Sequence, residues 1–355
     1  MSKYWSPSIQ SLVPYTPGEQ PQVEGLIKLN TNENPYPPAP GVARALRDFE
    51  TDRLRLYPDP ESAQLKQALA RNTGLECDQI FVGNGSDEVL ALTFMALLRQ
   101  DKPLLLPETT YSFYNVYIDL YGIQARHVPL TDDFRIDLSQ YRQPNGGIIF
   151  ANPNAPTGIS VPLDDIRSLL ESTPDSVVVV DEAYVDFGAE SATALVNEYP
   201  NLLVTQTFSK SRSLAGLRIG CAFGHKDLIE ALERVKNSFN SYPLDMLAEA
   251  AAIASLEDEA YFNDCIERVI ATRQWTTEAL NRLGFEVLPS HTNFVFAAHA
   301  NLTGAELMAY LRENKILVRH FTKPGIENHL RISIGTDAEM RALIDCLKQH
   351  PQMAD

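Results

Sequence analysis

The sequence contains few cysteines and no long apolar run. The four cysteines, Cys77, Cys221, Cys265 and Cys346, are widely spaced and form no C-x-x-C pair. This spacing is typical neither of a disulfide framework nor of a zinc site, and the seven histidines show no metal-ligand spacing. No eighteen consecutive residues are apolar, and the first residues lack the apolar segment of a signal peptide. We therefore expect a protein of the reducing cytoplasm that spans no membrane and binds no metal ion.

The sequence also lacks an excess of basic residues. It has 30 Lys and Arg against 46 Asp and Glu, which gives a formal net charge of −16 at pH 7. Nucleic acids and anionic membrane surfaces are therefore not expected as partners. A small anionic substrate is compatible with this charge, because the field inside a cleft depends on the few residues that line it.

The glycine signatures of nucleotide binding are incomplete. Gly83 and Gly85 form a Gly-x-Gly turn, but Glu88 stands where a dinucleotide fingerprint needs its third glycine, and the lysine of a P-loop is missing. The turn precedes a strongly apolar helix, and the free backbone N–H groups of a helix start attract anions. The turn is therefore predicted to be an anion site and not an NAD site.

The order of apolar segments predicts two domains, as the length of 355 residues also does. From about residue 80 to 225, short apolar strands alternate with helices, which predicts a mostly parallel sheet flanked by helices. Longer helical stretches and a smaller α/β unit follow. We assign a proline-rich N-terminal arm that joins the small domain to residues 1–45, the large domain to 46–240 and the small C-terminal domain to 241–355.

Two predicted strands end in residues of complementary chemistry. The run of four valines from Val177 ends in Asp181, and the apolar run 202–204 leads into a polar turn that carries Lys210. In open α/β sheets, ligands bind at the carboxyl ends of the strands. A lysine and an aspartate there are what pyridoxal phosphate needs, because the amine forms a Schiff base and the carboxylate keeps the pyridine nitrogen protonated. The two strand ends therefore predict a pyridoxal-phosphate site.

Six motifs carry a resemblance to a known family. In chain order they are LNTNENP (29–35), RLYPDP (55–60), GNGSDE (83–88), ANPNAPTG (151–158), VVVVDEAY (177–184) and TFSKSRSLAGLRIG (207–220). Together they resemble the pyridoxal-phosphate aminotransferases of the aspartate-aminotransferase fold, and within them the histidinol-phosphate aminotransferases. The resemblance covers nearly the whole chain. It implies a fold-type I transferase, and a homodimer that converts histidinol phosphate and 2-oxoglutarate to imidazole-acetol phosphate and glutamate.

The resemblance also implies roles for individual residues around the cofactor. Lys210 is the Schiff-base lysine and the proton carrier, Asp181 pairs with the pyridinium nitrogen, and Tyr184 reaches the phenolic oxygen. Tyr111 covers a ring face, whereas the other aromatic residues of its helix are expected in the core. The residues implied for the cofactor phosphate are the backbone of Ser86 and Asp87, Ser209, Arg218, and Tyr57 of the neighbouring subunit.

Two arginines are implied for the substrates. Arg331 matches the family arginine that holds the carboxylate of the amino-acid partner. Arg319, with Tyr15 and Asn32, resembles the group that binds the phosphate of histidinol phosphate. Guanidinium groups suit both tasks, because they bind carboxylate and phosphate in a bidentate way.

One position departs from the family pattern. The family loop has an asparagine that bonds the phenolic oxygen of the cofactor, and Ala155 occupies its place here. Three alternatives stay open: Asn154 takes over the bond, Asn152 does so with less support, or Tyr184 makes it alone. We carry Asn154 forward as a cofactor-binding residue.

Two other activities share the predicted fold and cofactor residues. An aromatic-amino-acid aminotransferase differs only in the selectivity of the substrate pocket. A threonine-phosphate decarboxylase releases carbon dioxide and needs no oxo-acid acceptor. The sequence favours the histidinol-phosphate branch through its short length and its SKSRSLAGLRIG segment.

Overall fold

Two β-sheets, both covered by helices, make up the computed structural model, which describes residues 3–6, 9–10, 12–16, 18–21 and 23–353. Pro7 and Pro17 of the predicted arm, and residues 354–355 of the predicted small domain, lie outside these ranges. Among the helices that are described, none is long and apolar enough to cross a membrane.

The strands and helices follow one another in the order expected for an α/β protein. The strands are β1 (Ile27–Leu29), β2 (Ile80–Asn84), β3 (Leu104–Pro107), β4 (Ala125–Val128), β5 (Ile148–Ala151), β6 (Val178–Asp181), β7 (Leu202–Thr207), β8 (Ile219–Gly224), β9 (Phe285–Val287), β10 (Phe294–His299), β11 (Ile316–His320) and β12 (His329–Ser333). The α-helices are α1 (Pro40–Arg47), α2 (Ala63–Thr73), α3 (Gly85–Thr93), α4 (Phe113–Tyr121), α5 (Leu163–Ser172), α6 (Lys226–Phe239), α7 (Met246–Glu257), α8 (Glu259–Arg282), α9 (Gly304–Glu313) and α10 (Asp337–Lys348).

The larger sheet has seven strands in the order β2-β8-β7-β6-β5-β3-β4. Strand β8 is antiparallel to its neighbours β2 and β7, and the other neighbouring strands are parallel. The predicted fold class, a mostly parallel sheet flanked by helices with a smaller α/β unit after it, is confirmed.

The strands of the larger sheet are apolar on both faces because helices cover both. In β6 the three valines are each 0% exposed, and Val179 packs on the opposite face from the other two. The register pairs Asp181 with Ala151 of β5 and with Thr205 of β7. The polar residues that follow these strands therefore meet at one edge of the sheet.

The smaller sheet has the order β1-β11-β12-β10-β9. Strand β1 comes from the N-terminal segment and pairs in parallel with β11, with Ile27 opposite Ile316. In β12, Leu330 and Ile332 are fully buried in the core of this unit, whereas Arg331 points from the other face. After β1 the chain leaves the smaller sheet, and Ala39 and Val42 are buried in the core of the larger sheet.

Helix α7 belongs to the core of the larger sheet, although the predicted boundary at 240/241 placed it in the small domain. Its residues Ala248 and Ala251 are buried in the same cluster as Val204 and Phe223 of the larger sheet. Helix α8, in contrast, buries Val269 in the core of the smaller sheet. The sequence pattern showed a helical break near residue 258, but it did not show that the chain changes cores there.

Strand β8 lies close to the start of α3. A Cβ atom on Gly220 would lie 2.5 Å from the carbonyl carbon of Gly85 and 2.5 Å from the Ser86 nitrogen. Gly85 itself has a φ of +78°, a left-handed conformation that glycine adopts without steric cost. The two glycines therefore allow the first turn of α3 to lie against the end of the sheet.

Substitution of Gly220 should disturb this contact. We expect Gly220→Ala to lower the free energy of unfolding of the cofactor-free protein by about 1–3 kcal/mol, because the backbone of α3 must move to admit the methyl group. Urea denaturation at equilibrium measures the change. Gly216→Ala is the matched control, since nothing lies within 4 Å of a Cβ atom there. Equal losses in the two variants would contradict the steric explanation.

Candidate active site

A cavity of about 420 Å³ opens at the carboxyl edge of the larger sheet. It collects residues from the ends of β6 and β7, the start of α3 and the N-terminal segment. The predicted cofactor residues that line it are Ser86, Asp87, Tyr111, Asp181, Tyr184, Ser209, Lys210 and Arg218. The lysine and aspartate predicted from the strand ends thus share one cavity with residues implied by the family resemblance, and these lie up to 132 positions apart, from Ser86 to Arg218.

The Asp181 carboxylate is buried at the end of β6. The Tyr114 hydroxyl donates to its Oδ2 at 2.6 Å, and the Thr205 hydroxyl donates to its Oδ1 at 3.2 Å. Burial raises the pKa of Asp181 to about 6, although the two hydrogen bonds act in the opposite direction. A cationic ligand group beside Asp181 would offset the cost of this buried negative charge.

The Lys210 side chain enters the cavity from the turn after β7. Its Nζ donates to the Thr31 carbonyl oxygen at 3.2 Å and lies 5.8 Å from the ring centroid of Tyr184. Asn34 holds the backbone of the turn, because its Nδ2 donates to the carbonyl oxygens of Lys210 (3.2 Å) and Ser211 (3.0 Å). No carboxylate pairs with the Lys210 ammonium among the described residues.

An arginine and the first turn of α3 form an anion-binding corner of this cavity. Arg218 Nη2 donates to Asp87 Oδ2 at 2.7 Å, and the Tyr111 hydroxyl donates to Asp87 Oδ1 at 3.2 Å. A Cβ atom on Gly85 would lie 2.6 Å from Arg218 Nη2, so the absence of a side chain admits the guanidinium to the helix start. Backbone N–H groups, a serine and an arginine suit a phosphate group.

A second cavity, of about 170 Å³, adjoins the first and shares Tyr111 and Ala155 with it. Arg319 and Arg331 line it together with Tyr15. The two arginines lie opposite each other on the antiparallel strands β11 and β12. Two guanidinium groups on adjacent strands are costly unless an anion lies near them, so this cavity suits a negatively charged ligand.

Arg331 forms no ion pair with an acidic side chain of the described residues. Its Nη2 donates to the Asn30 carbonyl oxygen at 2.9 Å, and its Nε is buried without a hydrogen-bond partner. Burial lowers the pKa of this guanidinium, and the charge of Arg319 lowers it further. Neither arginine forms an ion pair within the described part of the chain. The charges of Arg319 and Arg331 are therefore not neutralised within the described part of the protein, and both guanidinium groups can bind an anionic ligand.

Asn32 lies elsewhere than its predicted role in phosphate binding requires. The side chain is 1% exposed; its Nδ2 donates to the Tyr184 hydroxyl at 2.9 Å, and its Oδ1 accepts from the Ser333 hydroxyl at 3.0 Å. It lines neither cavity. The structure instead makes it a residue that orients Tyr184, because it joins Tyr184 to the smaller sheet.

Asn154 does not line the cofactor cavity either. Its Nδ2 donates to the Thr109 carbonyl oxygen at 3.0 Å, and it lines a separate cavity on the other side of its loop. Asn152 is bonded to the backbone of Val161: its Nδ2 donates to the Val161 carbonyl oxygen, and its Oδ1 accepts from the Val161 N–H. Of the three alternatives for the missing family asparagine, Tyr184 lines the cavity and the two asparagines do not, and the role of Asn154 at the cofactor stays a prediction.

Tyr57 does not line the larger cavity of its own chain. It is 80% exposed and stacks on Tyr242 with ring centroids 4.8 Å apart. A residue that serves this site from within the chain would line the cavity, and Tyr57 does not. Its predicted role at the site of a neighbouring subunit stays a prediction.

Sequence reasoning missed several residues of the site. Thr31, Glu33 and Asn34 lie in the LNTNENP motif and reach the Lys210 turn or line its cavity. Lys323 and Thr110 line the second cavity. The motif offered a signal for the first group, since it is rich in amides. No pattern marked Lys323, because its partners are more than two hundred residues away.

The chain belongs to a known family. A family model described as aminotransferase class I and II matches residues 24–347. Three features of the structure agree with membership of this family: the fold, the lysine and aspartate at neighbouring strand ends, and the anion-binding corner at the start of α3. No cluster of three or more metal-ligating side chains occurs within the ranges that the structure covers.

Its relatives within the family carry a more specific name. The chain is 59% identical over 353 residues to histidinol-phosphate aminotransferase 2 of Dechloromonas aromatica, with 98% of this chain and 99% of that protein covered. It is 58% identical to histidinol-phosphate aminotransferase 1 of Pseudomonas aeruginosa, with the same shares covered. Among solved structures it resembles histidinol-phosphate aminotransferase from Sinorhizobium meliloti in complex with pyridoxal-5'-phosphate. The TM-score is 0.87, the identity 27%, and 99% of this chain and 98% of that chain are covered.

The buried carboxylate should make stability depend on pH. The pKa of Asp181 in the folded, cofactor-free protein is about 6, above its ordinary value of 3.8. Asp181→Asn should therefore gain about 3 kcal/mol in free energy of unfolding relative to the wild type as pH rises from about 4 to about 6. Well below pH 3.8 the carboxyl is protonated in both states, so the pH-dependent part of this difference vanishes. Urea denaturation at several pH values measures it, and a difference that is independent of pH would contradict the assignment.

Proposed function

We propose that this protein is a pyridoxal-phosphate-dependent aminotransferase that converts histidinol phosphate and 2-oxoglutarate to imidazole-acetol phosphate and glutamate. The observation that carries the proposal is the pair of adjoining cavities. One combines a lysine, a buried aspartate and a phosphate corner, and the other combines two unpaired arginines. The names of the relatives at 57–59% identity support the same substrate. The four unpaired cysteines suit the reducing cytoplasm.

The residues of the larger cavity fit pyridoxal phosphate. When bound, the cofactor supplies an electron sink for the bonds at the substrate carbon that carries nitrogen. Ser86 and Arg218 of the anion-binding corner would hold its phosphate together with Ser209, which lines the same cavity. Asp181 would hold its ring nitrogen in the protonated form. Tyr184, oriented by Asn32, would donate to its phenolic oxygen. The Tyr114 hydroxyl would keep Asp181 in position.

Lys210 is the proton carrier in this proposal. Among the described residues no carboxylate pairs with its amine, so its nitrogen would take a proton from the substrate carbon and would carry it to C4′ of the cofactor. A positioned general base of this kind contributes a factor of roughly 10²–10⁴ in rate. Asn34 donates to the carbonyl oxygens of Lys210 and Ser211, which fixes the backbone there and limits the positions that the Lys210 side chain reaches.

The smaller cavity would receive the anionic ends of two substrates in turn. Histidinol phosphate carries a phosphate and no carboxylate, whereas glutamate and 2-oxoglutarate carry two carboxylates. Arg319 and Arg331 suit both, because a guanidinium forms two parallel hydrogen bonds with either group. A single site that accepts both substrates alternately requires this tolerance.

Threonine-phosphate decarboxylation is the second candidate activity, since it too uses a phosphorylated amine substrate. The fold resembles L-threonine-O-3-phosphate decarboxylase from Porphyromonas gingivalis, with a TM-score of 0.79, 26% identity, and 92% of this chain and 100% of that chain covered. The relatives named as aminotransferases are more than twice as similar in sequence and favour the first activity.

A half-reaction distinguishes these activities. Purified holoprotein is mixed with histidinol phosphate, phenylalanine or threonine phosphate, without any oxo acid, while the absorbance of the bound cofactor is followed. We expect rapid loss of the absorbance with histidinol phosphate and its return after 2-oxoglutarate is added. Loss only with phenylalanine would move the protein to the aromatic branch, and release of carbon dioxide from threonine phosphate would make it a decarboxylase.

Lys210→Ala should lack the starting absorbance and turnover, and near wild-type turnover of that variant would refute the proposed role of Lys210.

We also propose that the protein acts as a homodimer whose subunits share their active sites. Tyr57 (80% exposed) stacks on Tyr242 (44%), and exposed apolar side chains occur close to these two in the sequence: Leu54 (53%), Leu56 (52%) and Phe239 (81%). Apolar groups that are clustered and exposed to this extent usually meet a partner. The resemblance places Tyr57 at the cofactor phosphate of the neighbouring subunit, which agrees with its absence from the cavity of its own chain.

Mixing two defective variants in equal amounts tests the shared site. Tyr57→Ala should bind the cofactor weakly, and Lys210→Ala should be inactive. Subunit exchange between the two gives hybrid dimers in which one site has Lys210 from one subunit and Tyr57 from the other. We expect the mixture to recover activity up to about a quarter of wild type, because half of the dimers are hybrids and each has one intact site. A mixture no more active than the sum of its parts would contradict the shared site.

A further inference from the structure

Lys323 lies beside the two arginines of the smaller cavity. It is in the loop between β11 and β12, and it lines the cavity together with Arg319 and Arg331. Its Nζ donates to the Glu108 carbonyl oxygen and, at 3.1 Å, to the Thr109 hydroxyl. Both acceptors are neutral. A lysine ammonium has three donors, so one remains for a ligand.

The cavity is strongly positive for its size. Three cationic side chains line about 170 Å³, and none of the three forms an ion pair with a carboxylate within the described ranges. Burial lowers the pKa of Lys323, and the charge of Glu108 opposes this effect. Glu108 is the acidic residue of the lining, and its side chain is exposed. The local charge thus differs in sign from the net charge of −16 of the whole chain.

Buried donors without partners point to an oxygen-rich ligand. Arg331 Nε and the Thr110 hydroxyl are both buried and have no hydrogen-bond partner in the described part of the chain, and both residues line this cavity. Unpaired buried donors cost free energy that a ligand with several acceptors recovers. A phosphate monoester has three terminal oxygens arranged around one centre, whereas a carboxylate has two in one plane. The donors around the cavity therefore suit phosphate better than carboxylate.

We propose that Lys323 is a specificity-determining residue that, with Arg319 and Thr110, selects a phosphate monoester as the substrate end bound in this cavity. The inference rests on the proposed function, because it concerns the same substrate. The alternative is a purely structural role, in which Lys323 only holds its loop against the residues that follow β3. In that case the loss of Lys323 would affect the turnover of every substrate equally. If Lys323 binds the phosphate group, its loss would affect only the phosphorylated substrate.

Substrate selectivity of Lys323→Gln separates these roles. We expect kcat/KM for histidinol phosphate to fall about 10- to 100-fold, as for loss of a hydrogen bond to a charged group, with most of the change in KM. The value for histidinol without phosphate, and that for glutamate, should change less than about threefold. Lys323→Arg should restore most of the lost activity. Lys102→Gln, an exposed lysine at the other end of β3, controls for the change in net charge.

A binding measurement makes the test independent of turnover. Holoenzyme is titrated calorimetrically with inorganic phosphate, and Lys323→Gln should weaken its binding by a factor similar to the loss in kcat/KM. Equal losses for histidinol phosphate and glutamate, or unchanged phosphate affinity, would overturn the proposal. If the wild type failed to accept histidinol phosphate, the proposed function would fall, and the titration alone would then decide the role of Lys323.

Discussion

The burial of one carboxylate constrains the arrangement of the site. Asp181 lies at the end of a strand between two other parallel strands, where only 4% of the residue is exposed to solvent. The protein supplies two hydroxyl donors and still leaves the pKa raised to about 6. Such a group is poorly stabilised by the protein alone and well stabilised by a cationic ring nitrogen. The core that buries Asp181 thereby creates the preference for the ligand.

The aromatic residues of α4 and the turn before it show that core and site are not separate here. The sequence interpretation placed Tyr114 and Tyr117 in the core, and both are buried. Yet the Tyr114 hydroxyl bonds Asp181, and the Tyr117 hydroxyl bonds the Asp87 carbonyl oxygen. The rings fill the space under the cavity while the hydroxyls reach its polar groups. A buried tyrosine needs such a partner, so packing and function are met by the same side chains.

Features that depend on residues close together in the sequence could be predicted, whereas contacts between residues far apart along the chain could not. The strand ends that carry Asp181 and Lys210 follow from local apolar runs and from the geometry of parallel sheets, so residues alone located the larger cavity. The contacts of Asn32 with Tyr184 and Ser333 join positions 152 and 301 residues apart, and no local pattern encodes them. For the same reason the sequence placed α7 in the wrong core. Periodicity shows that a helix has an apolar face but not which sheet that face covers.

The two cavities differ in how the protein treats its charges. In the larger cavity Arg218 is paired with Asp87, which keeps the guanidinium in place before a ligand arrives. In the smaller one Arg319 and Arg331 lie on adjacent strands, and neither forms an ion pair with a carboxylate of the described residues. A permanent acidic partner there would compete with each incoming substrate, and a site that binds two anions in alternation has to release one before it accepts the next. Unpaired arginines cost stability, but they keep the exchange free of an internal competitor. The smaller sheet, which carries both arginines on β11 and β12, is thus the part of the fold where substrate exchange and stability are in direct conflict.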